Sequence, residues 1–323
     1  MNKLSLLAAL GLTMAAGTVS AADLIKKEPP PPPPPSTDGF DYAFGVKIQS
    51  DYISRGITQS NHRPSATVYG ELRYNIGDTQ LYAGVQPWSV DLPTQPLAEV
   101  DLYGGIRQTF DKLVVDVGAI YYFYPNNQRQ YFTNGTPGFI GGQTALVNFP
   151  GAFPTTAKDP SYFEGYIKPV YTINDIFTIG ANVYASPNWN NYRGNAYEVY
   201  VSGTVKINVP QIAGLSVSGE FGHEFLNRPN AAAFGSFKFP DYNTYNVGVS
   251  YVYQQATFDL RYYGTDLSKT NAYIDSSDPH GNPVGGVFNG RSNWGGQRIV
   301  ASLSLDFTSK DLAPPPPVVK ARY

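Results

Sequence analysis

The chain has 323 residues, with 23 Lys and Arg against 25 Asp and Glu, a formal net charge of −2 and no cysteine. The near-neutral balance gives no basic footprint for nucleic acid, and the missing cysteines exclude a disulfide framework and thiolate metal sites. Only 15% of residues are charged while 25 are Tyr and 18 are Phe, which favours strands and interfacial aromatic belts over a soluble helical domain.

Residues 1–21 read as an export signal: Lys3 supplies the positive start, Leu4 to Met14 the apolar stretch, and Val19-Ser20-Ala21 the small-residue ending. Residues 22–39 follow as a spacer dominated by Pro29 to Pro35, which favours extended polyproline II because proline has no backbone N–H. Beyond the signal no apolar run reaches 18 residues, so no helix is expected to span a bilayer. A barrel escapes that criterion because half of each strand is polar.

The first segment, Phe40 to Tyr52, sets the pattern. Phe40, Tyr42, Phe44, Val46, Ile48 and Tyr52 share one parity, while Asp41, Lys47, Gln49 and Asp51 share the other. Successive strand side chains point to opposite faces, so one face is oily and the other charged. The period recurs in Ala66 to Ile76, with Tyr69, Glu71 and Arg73 on the polar parity, and in Gln80 to Gln86, with Tyr82. Glu99 to Thr109 carries Glu99, Asp101, Tyr103 and Arg107 there, and Val114 to Tyr124 carries Asp116 and Tyr122. Tyr162 to Tyr171 contributes Glu164, Tyr166 and Lys168, Phe177 to Ser186 contributes Tyr184, and Tyr197 to Ile207 contributes Glu198, Tyr200 and Lys206. Leu215 to Phe225 adds Glu220 and Glu224, Thr244 to Tyr253 is uncharged, and Thr257 to Thr265 adds Asp259, Arg261 and Tyr263. Gln297 to Phe307 closes the set of twelve with Arg298 and Asp306 opposite Ile299, Leu303, Leu305 and Phe307.

Connections after even-numbered segments are short, as at Gly77-Asp78-Thr79 and Gln254-Gln255, and those after odd-numbered ones are long. Outer-membrane barrels have short periplasmic turns and long extracellular loops. The expected fold is therefore an all-β, transmembrane, antiparallel up-and-down barrel over residues 40–307 with both termini in the periplasm. Residues 308–323 form a second proline-rich tail, Pro314 to Pro317, ending in Lys320 and Arg322. The two tails read as spacers, or as docking segments for the cell wall or a periplasmic proline-binding partner. A soluble sandwich or lipocalin-like barrel would instead turn the apolar parity inward.

The segment Ser50-Asp51-Tyr52-Ile53-Ser54-Arg55-Gly56-Ile57-Thr58-Gln59-Ser60 resembles the opening signature of the TorF family of porins. Leu81-Tyr82-Ala83-Gly84-Val85, Glu99 to Gly105 and Asp116 to Tyr122 continue the likeness. The resemblance implies an outer-membrane channel and leaves its substrate open.

With lipid outside, the polar parity lines the lumen: Lys47, Asp51, Glu71, Arg73, Tyr82, Asp101, Tyr103, Arg107, Asp116, Tyr122, Glu164, Lys168, Glu198, Lys206, Asp259, Arg261 and Arg298. Over the whole polar parity eleven acidic positions face seven basic ones, which predicts weak cation preference in a passive channel for small polar solutes or ions. The interior tyrosines either guide solutes by stacking or fill a narrow bore. The third loop, Pro125 to Ser161, is long enough to enter the bore, and its glycines at 135, 138, 141, 142 and 151 permit tight bends. Asp266, Asn271, Asp275 and Asp278 in the sixth loop are oxygen donors without a fixed ligand spacing, so no metal and no cofactor is expected. The histidines are His62, His223 and His280; without a Gly-x-Ser-x-Gly elbow or a nucleophile beside a base, an enzyme is not expected. The alternative to a channel is an occluded barrel that anchors the proline-rich tails.

Overall fold

The computed structural model describes residues 39–127, 131–133, 136–138, 153–154, 160–192, 196–227, 239–276 and 291–312. Twelve antiparallel strands close into a barrel. They are β1 Gly39–Gln49, β2 Ser65–Ile76, β3 Thr79–Trp88, β4 Glu99–Phe110, β5 Leu113–Phe123 and β6 Tyr162–Thr172, then β7 Phe177–Ser186, β8 Glu198–Asn208, β9 Leu215–Leu226, β10 Tyr242–Tyr253, β11 Ala256–Thr265 and β12 Arg298–Thr308. Each strand pairs with its neighbours in sequence, and β12 returns to β1 with Phe44 opposite Phe307 and Lys47 opposite Ser304. The boundaries fall within three residues of those expected from the period.

The distribution of side chains is inverted relative to a soluble barrel. Leu72, Leu102, Ile106, Val117, Ile167, Val249 and Leu260 are exposed at mid-strand, and no Asp, Glu, Lys or Arg occupies the outward parity of any of the twelve described strands. Aromatic rings collect at the two ends of this aliphatic belt. Phe40 packs edge-on to Tyr74 at 4.9 Å at the turn end, and Tyr121 lies 4.4 Å from Phe163 at the long-loop end. Eleven rises of about 3.3 Å along a strand tilted by about 40° give a wall about 28 Å high, which matches a bilayer's hydrocarbon thickness. Among the described residues no helix is long and apolar enough to cross a membrane.

Short turns join the strands at one end: Gly77-Asp78, Asp111-Lys112 and Gln254-Gln255 connect consecutive strands directly. Asp111 and Gln254 adopt left-handed backbone (φ 52° and 53°) to make their reversals. Two ladders skip a pair of residues, β2–β3 opposite Pro87 and β6–β7 at Pro169, because proline has no N–H to donate.

At the other end β1 stops at Gln49, earlier than expected. Tyr52, expected on the oily outer parity, is buried instead, its ring stacked 4.2 Å from Trp88 and its hydroxyl donating to Glu99 Oε1 at 2.7 Å. The chain turns inward after Gln49 and makes a small hairpin, Ile53–Ser54 paired with Ile57–Thr58. Ile57 joins Tyr192, Ala196, Leu226, Phe239, Tyr242 and Trp294 in a buried apolar cluster beneath the long loops. The sixth loop contributes a helix, α1 Lys269–Ser276. About two thirds of Pro125–Ser161 lies outside the described residues, as do the signal segment, the first spacer up to residue 38, the tail beyond residue 312, Asp278 and His280.

Candidate functional site: the barrel interior and the hairpin inside it

The strand period that puts aliphatic residues outside forces their neighbours into the bore, where charge and hydroxyl groups must find partners or remain expensively desolvated. They do so in layers. In the turn-end half of the wall a ladder of alternating sign draws on five strands. Arg73 lies 3.8 Å from Asp41 and donates through Nε to Glu71 Oε1 at 2.5 Å. Arg107 donates to both Glu71 oxygens, Nη1 at 2.9 Å and Nη2 at 3.0 Å, and reaches Asp116 at 3.3 Å. Lys168 completes the row 3.6 Å from Asp116. Three cations and three carboxylates make this ladder formally neutral. A second set lies across β9, β10 and β11, where Arg261 donates to Asp259 Oδ2 at 2.9 Å, Asn246 Oδ1 at 2.8 Å and Ser218 Oγ at 2.8 Å.

Tyrosines fill the space between these rows. Tyr82, Tyr103, Tyr122, Tyr166, Tyr184 and Tyr200 are all buried in one cluster, with Tyr166 and Tyr184 ring centres 5.6 Å apart and those of Tyr184 and Tyr200 6.4 Å apart. Four of the six hydroxyls find polar partners: Tyr82 reaches Asp116 and Tyr166, Tyr122 donates to Glu164 Oε2 at 2.8 Å, and Tyr200 donates to Glu220 Oε1 at 3.0 Å. The Arg107 guanidinium sits 3.7 Å over the Tyr82 ring.

Toward the long-loop end the balance changes. Glu99, Asp101, Glu164, Glu198 and Glu224, from β4, β6, β8 and β9, are all buried on the interior face. The cation that meets three of them comes from the hairpin. Arg55 Nη2 donates to Glu164 Oε1 and Oε2 at 2.7 and 2.8 Å, Nη1 donates to Glu198 Oε1, and Nε lies 3.6 Å from Glu224 Oε2. The hairpin turn is Arg55-Gly56, both in left-handed backbone (φ 44° and 79°), the pair of positive φ values that a two-residue type I′ turn requires. Gly56 lies so close to the wall that an added Cβ would be 2.7 Å from Thr244 Oγ1. At the base, Asp51 Oδ1 accepts hydrogen bonds from Thr58 Oγ1 at 2.5 Å and Ser60 Oγ at 2.9 Å. Asp51 Oδ2 accepts from Arg298 at 3.0 Å and lies 3.3 Å from His62 Nδ1. Burial works to raise the Asp51 pKa, but the hydrogen bonds from His62, Thr58, Arg298 and Ser60 more than offset it and hold it below the usual carboxylate range. A cavity of about 590 Å³ lies between this base and the sixth loop, lined in part by His62, Leu267, Lys269, Asn293 and Arg298.

Each residue expected to line the lumen is inside. Asp51, Glu71, Arg73, Tyr82, Asp101, Tyr103, Asp116, Tyr122, Glu164, Lys168, Glu198 and Arg261 are buried, and Lys47, Arg107, Lys206, Asp259 and Arg298 are partly so. The segment that enters the bore among the described residues is the first loop. Its decisive residue, Arg55, was not among the expected lining residues, although an Arg-Gly pair flanked by Ile-Ser and Ile-Thr carries a hairpin signal.

Residues 35–282 match the model of a family described as bacterial protein of unknown function (Gcw_chp). The chain belongs to that family. No curated protein matches this member's sequence. Solved structures similar to this Gcw_chp protein include the NanC porin, at 9% identity and TM-score 0.41 over 83% of this chain and 98% of that one. The CymD monoaromatic hydrocarbon channel is 12% identical with a TM-score of 0.40, covering 83% and 88%. The outer membrane channel DcaP of Acinetobacter baumannii is 8% identical with a TM-score of 0.38, covering 84% and 96%.

His223 keeps the outward parity near the long-loop end of β9, 4.3 Å from Phe225 and with Nδ1 2.8 Å from Asn243 Oδ1. Asp266 bonds the Asn243 side chain at 2.6 Å and Asp275 is buried on α1. Among the described residues no group of His, Cys, Asp or Glu is arranged to hold a metal.

Proposed function

We propose that this protein is an integral outer-membrane channel, a narrow porin of TorF type, that passes small polar solutes or ions down their gradient and is closed in this structure. The observation that carries the reading is the opposition of the two wall faces: an uncharged aliphatic belt between aromatic girdles outside, and a charged, hydroxyl-rich surface inside. Water-compatible side chains facing a bore are what a permeating solute needs, and lipid is the environment in which the outer face is stable. The short turns and both tails face the periplasm on this reading, and the long loops face outward. The obstruction is a separate hairpin held by ion pairs and hydrogen bonds, so it is a removable stopper rather than part of the wall. The surplus of carboxylates near the long-loop end supports a weak preference for cations. The chemistry is passage and not catalysis.

The test is single-channel current from the refolded full-length mature chain in a planar bilayer under a salt gradient. Discrete steps with a reversal potential displaced toward that of the cation are expected; an anion-selective pore overturns the cation preference. A second reading, an occluded barrel anchoring its proline-rich tails, is favoured by the apolar cluster of Ile57, Leu226, Phe239 and Trp294 across the long-loop end. Silence from a demonstrably folded barrel, with envelope defects on deletion of residues 22–38 or 308–323, would establish that reading instead.

A further inference from the structure

The Arg55 guanidinium occupies a receptacle made almost wholly by the barrel wall. Glu164 stands on β6, Tyr184 on β7, Glu198 and Tyr200 on β8, and Glu224 on β9, so four consecutive strands supply it. Three carboxylates meet three faces of the guanidinium fork, and its carbon lies 5.2 Å from the Tyr184 ring centre and 5.0 Å from that of Tyr200. Tyr122 fixes Glu164 from behind by donating to Oε2. The carboxylates and rings of the receptacle thus stand on the wall, and the hairpin supplies the cation between them.

Two further observations point to a ligand site. Among the described residues Arg55 is the cation that meets these three carboxylates, and Glu198 and Glu224 also lean on each other. Neither oxygen of the fully buried Glu224, nor Glu198 Oε2, accepts a hydrogen bond from an N–H or hydroxyl donor among the described residues, the Arg55 contact to Glu224 being an ion pair at 3.6 Å. A buried carboxylate without a donor is costly, so these groups favour any cation that can reach them. The occupant is also held under backbone strain, since Arg55 sits at φ 44° in a region that non-glycine residues rarely adopt.

We propose that this receptacle is a binding site for small organic cations carrying a guanidinium or primary ammonium group, and that Arg55 is its tethered stand-in. The inference rests on the channel reading for its role in permeation but not for the existence of the site. When the hairpin withdraws, the carboxylates are left without their cation, and a free ligand with the same head group satisfies them. Planar guanidinium matches the carboxylate edges with directed N–H donors, and the two tyrosine faces favour a weakly hydrated cation over Na+. Arg55 thus sets both the closed state and the chemical class of what passes.

The experiment uses the full-length mature chain carrying Arg55→Ala, refolded in lipid, with methylguanidinium chloride as the probe against NaCl and CaCl2. Millimolar methylguanidinium is expected to raise the thermal unfolding temperature of the variant and leave the wild type, whose site is filled, unchanged. It is also expected to reduce the variant's single-channel current at a concentration at least about tenfold below that needed when Glu198→Gln is added, as loss of a charge-assisted contact implies. Equal stabilisation by Na+, or stronger stabilisation by Ca2+, overturns the proposal, because the site would then be a generic or divalent-cation cluster. Stabilisation by methylguanidinium without any current sustains the site and refutes the channel; current without stabilisation or block refutes the site and sustains the channel. If Arg55→Ala does not refold alone, refolding with methylguanidinium chloride against NaCl becomes the readout: recovery with the former alone supports the site, and equal failure in both counts against it.

Discussion

Ile106 offers a direct test of whether lipid surrounds the wall. It is 48% exposed on β4, faces outward, and stands four residues above Phe110, which ends the strand and is 57% exposed. Four rises of about 3.3 Å at a tilt of about 40° place it about 10 Å above the turn-end rim, within about 4 Å of the middle of a wall about 28 Å high. A lysine there meets the hydrocarbon midplane, where its charge costs about 2–4 kcal/mol relative to alanine, while at Phe110 it can reach the headgroups at a cost of about 0–1 kcal/mol. The assay is reversible denaturant titration of the barrel in lipid vesicles, followed by the fluorescence of Trp88 and Trp294, both buried. The quantity to compare is Ile106→Lys minus Ile106→Ala against Phe110→Lys minus Phe110→Ala. A difference between the positions of about 1–4 kcal/mol is expected. Were the outer face solvated, both lysines would fall within about 0.5 kcal/mol of their alanine controls, and the transmembrane reading would be refuted.

Three other outcomes follow from individual contacts. Glu71→Leu should destabilise the barrel by about 3–5 kcal/mol, because it strands Arg73 and Arg107 in a buried ladder, and Glu71→Leu with Arg107→Leu should recover part of that loss in the same titration. Gly56→Ala forces a Cβ against Thr244 at a left-handed position; a cost of about 1–2 kcal/mol raises the population of released hairpin about five- to thirty-fold, read as faster trypsin cleavage after Arg55. Asp275 is pushed up to about 8 by burial and the nearby Glu224 charge, with Tyr242 facing it. A carboxyl whose folded pKa lies above its unfolded one stabilises in its neutral form, so the packing of α1 should weaken as pH rises from about 4 through about 8. Amide hydrogen exchange in α1, corrected for the intrinsic pH dependence, reads this directly, and Asp275→Asn should remove the trend.

The wall was legible because a single physical rule governs all of it. A period of two decides outside from inside at every position, and with no charged residue on the outward parity the rule has no exceptions to blur it. Proline interrupts two ladders without displacing a strand, since Pro87 and Pro169 both keep the register on either side. The same rule failed at Tyr52, three residues past Gln49, where ladder pairing has ended and parity no longer fixes direction. There the interior contacts of Tyr52 with Trp88 and Glu99 take over, and both partners are distant in sequence.

Among the described residues the first loop is the one that enters the bore, and the reason is electrostatic: a segment that enters this interior must bring a cation to a ring of carboxylates, or leave them without a counter-charge. Glu164, Glu198 and Glu224 are each unremarkable in sequence, spaced by thirty-four and twenty-six residues, and become a single site only when β6, β8 and β9 fold into one wall. The loop that serves them has its contacts divided among named residues: Asp51 ties the base, Ile53 and Ile57 are buried, Gly56 clears Thr244, and Arg55 supplies the charge. A stopper anchored in part by a buried charge pairing is weakened by competing for that charge, whereas one that fills a bore by bulk alone offers no such handle.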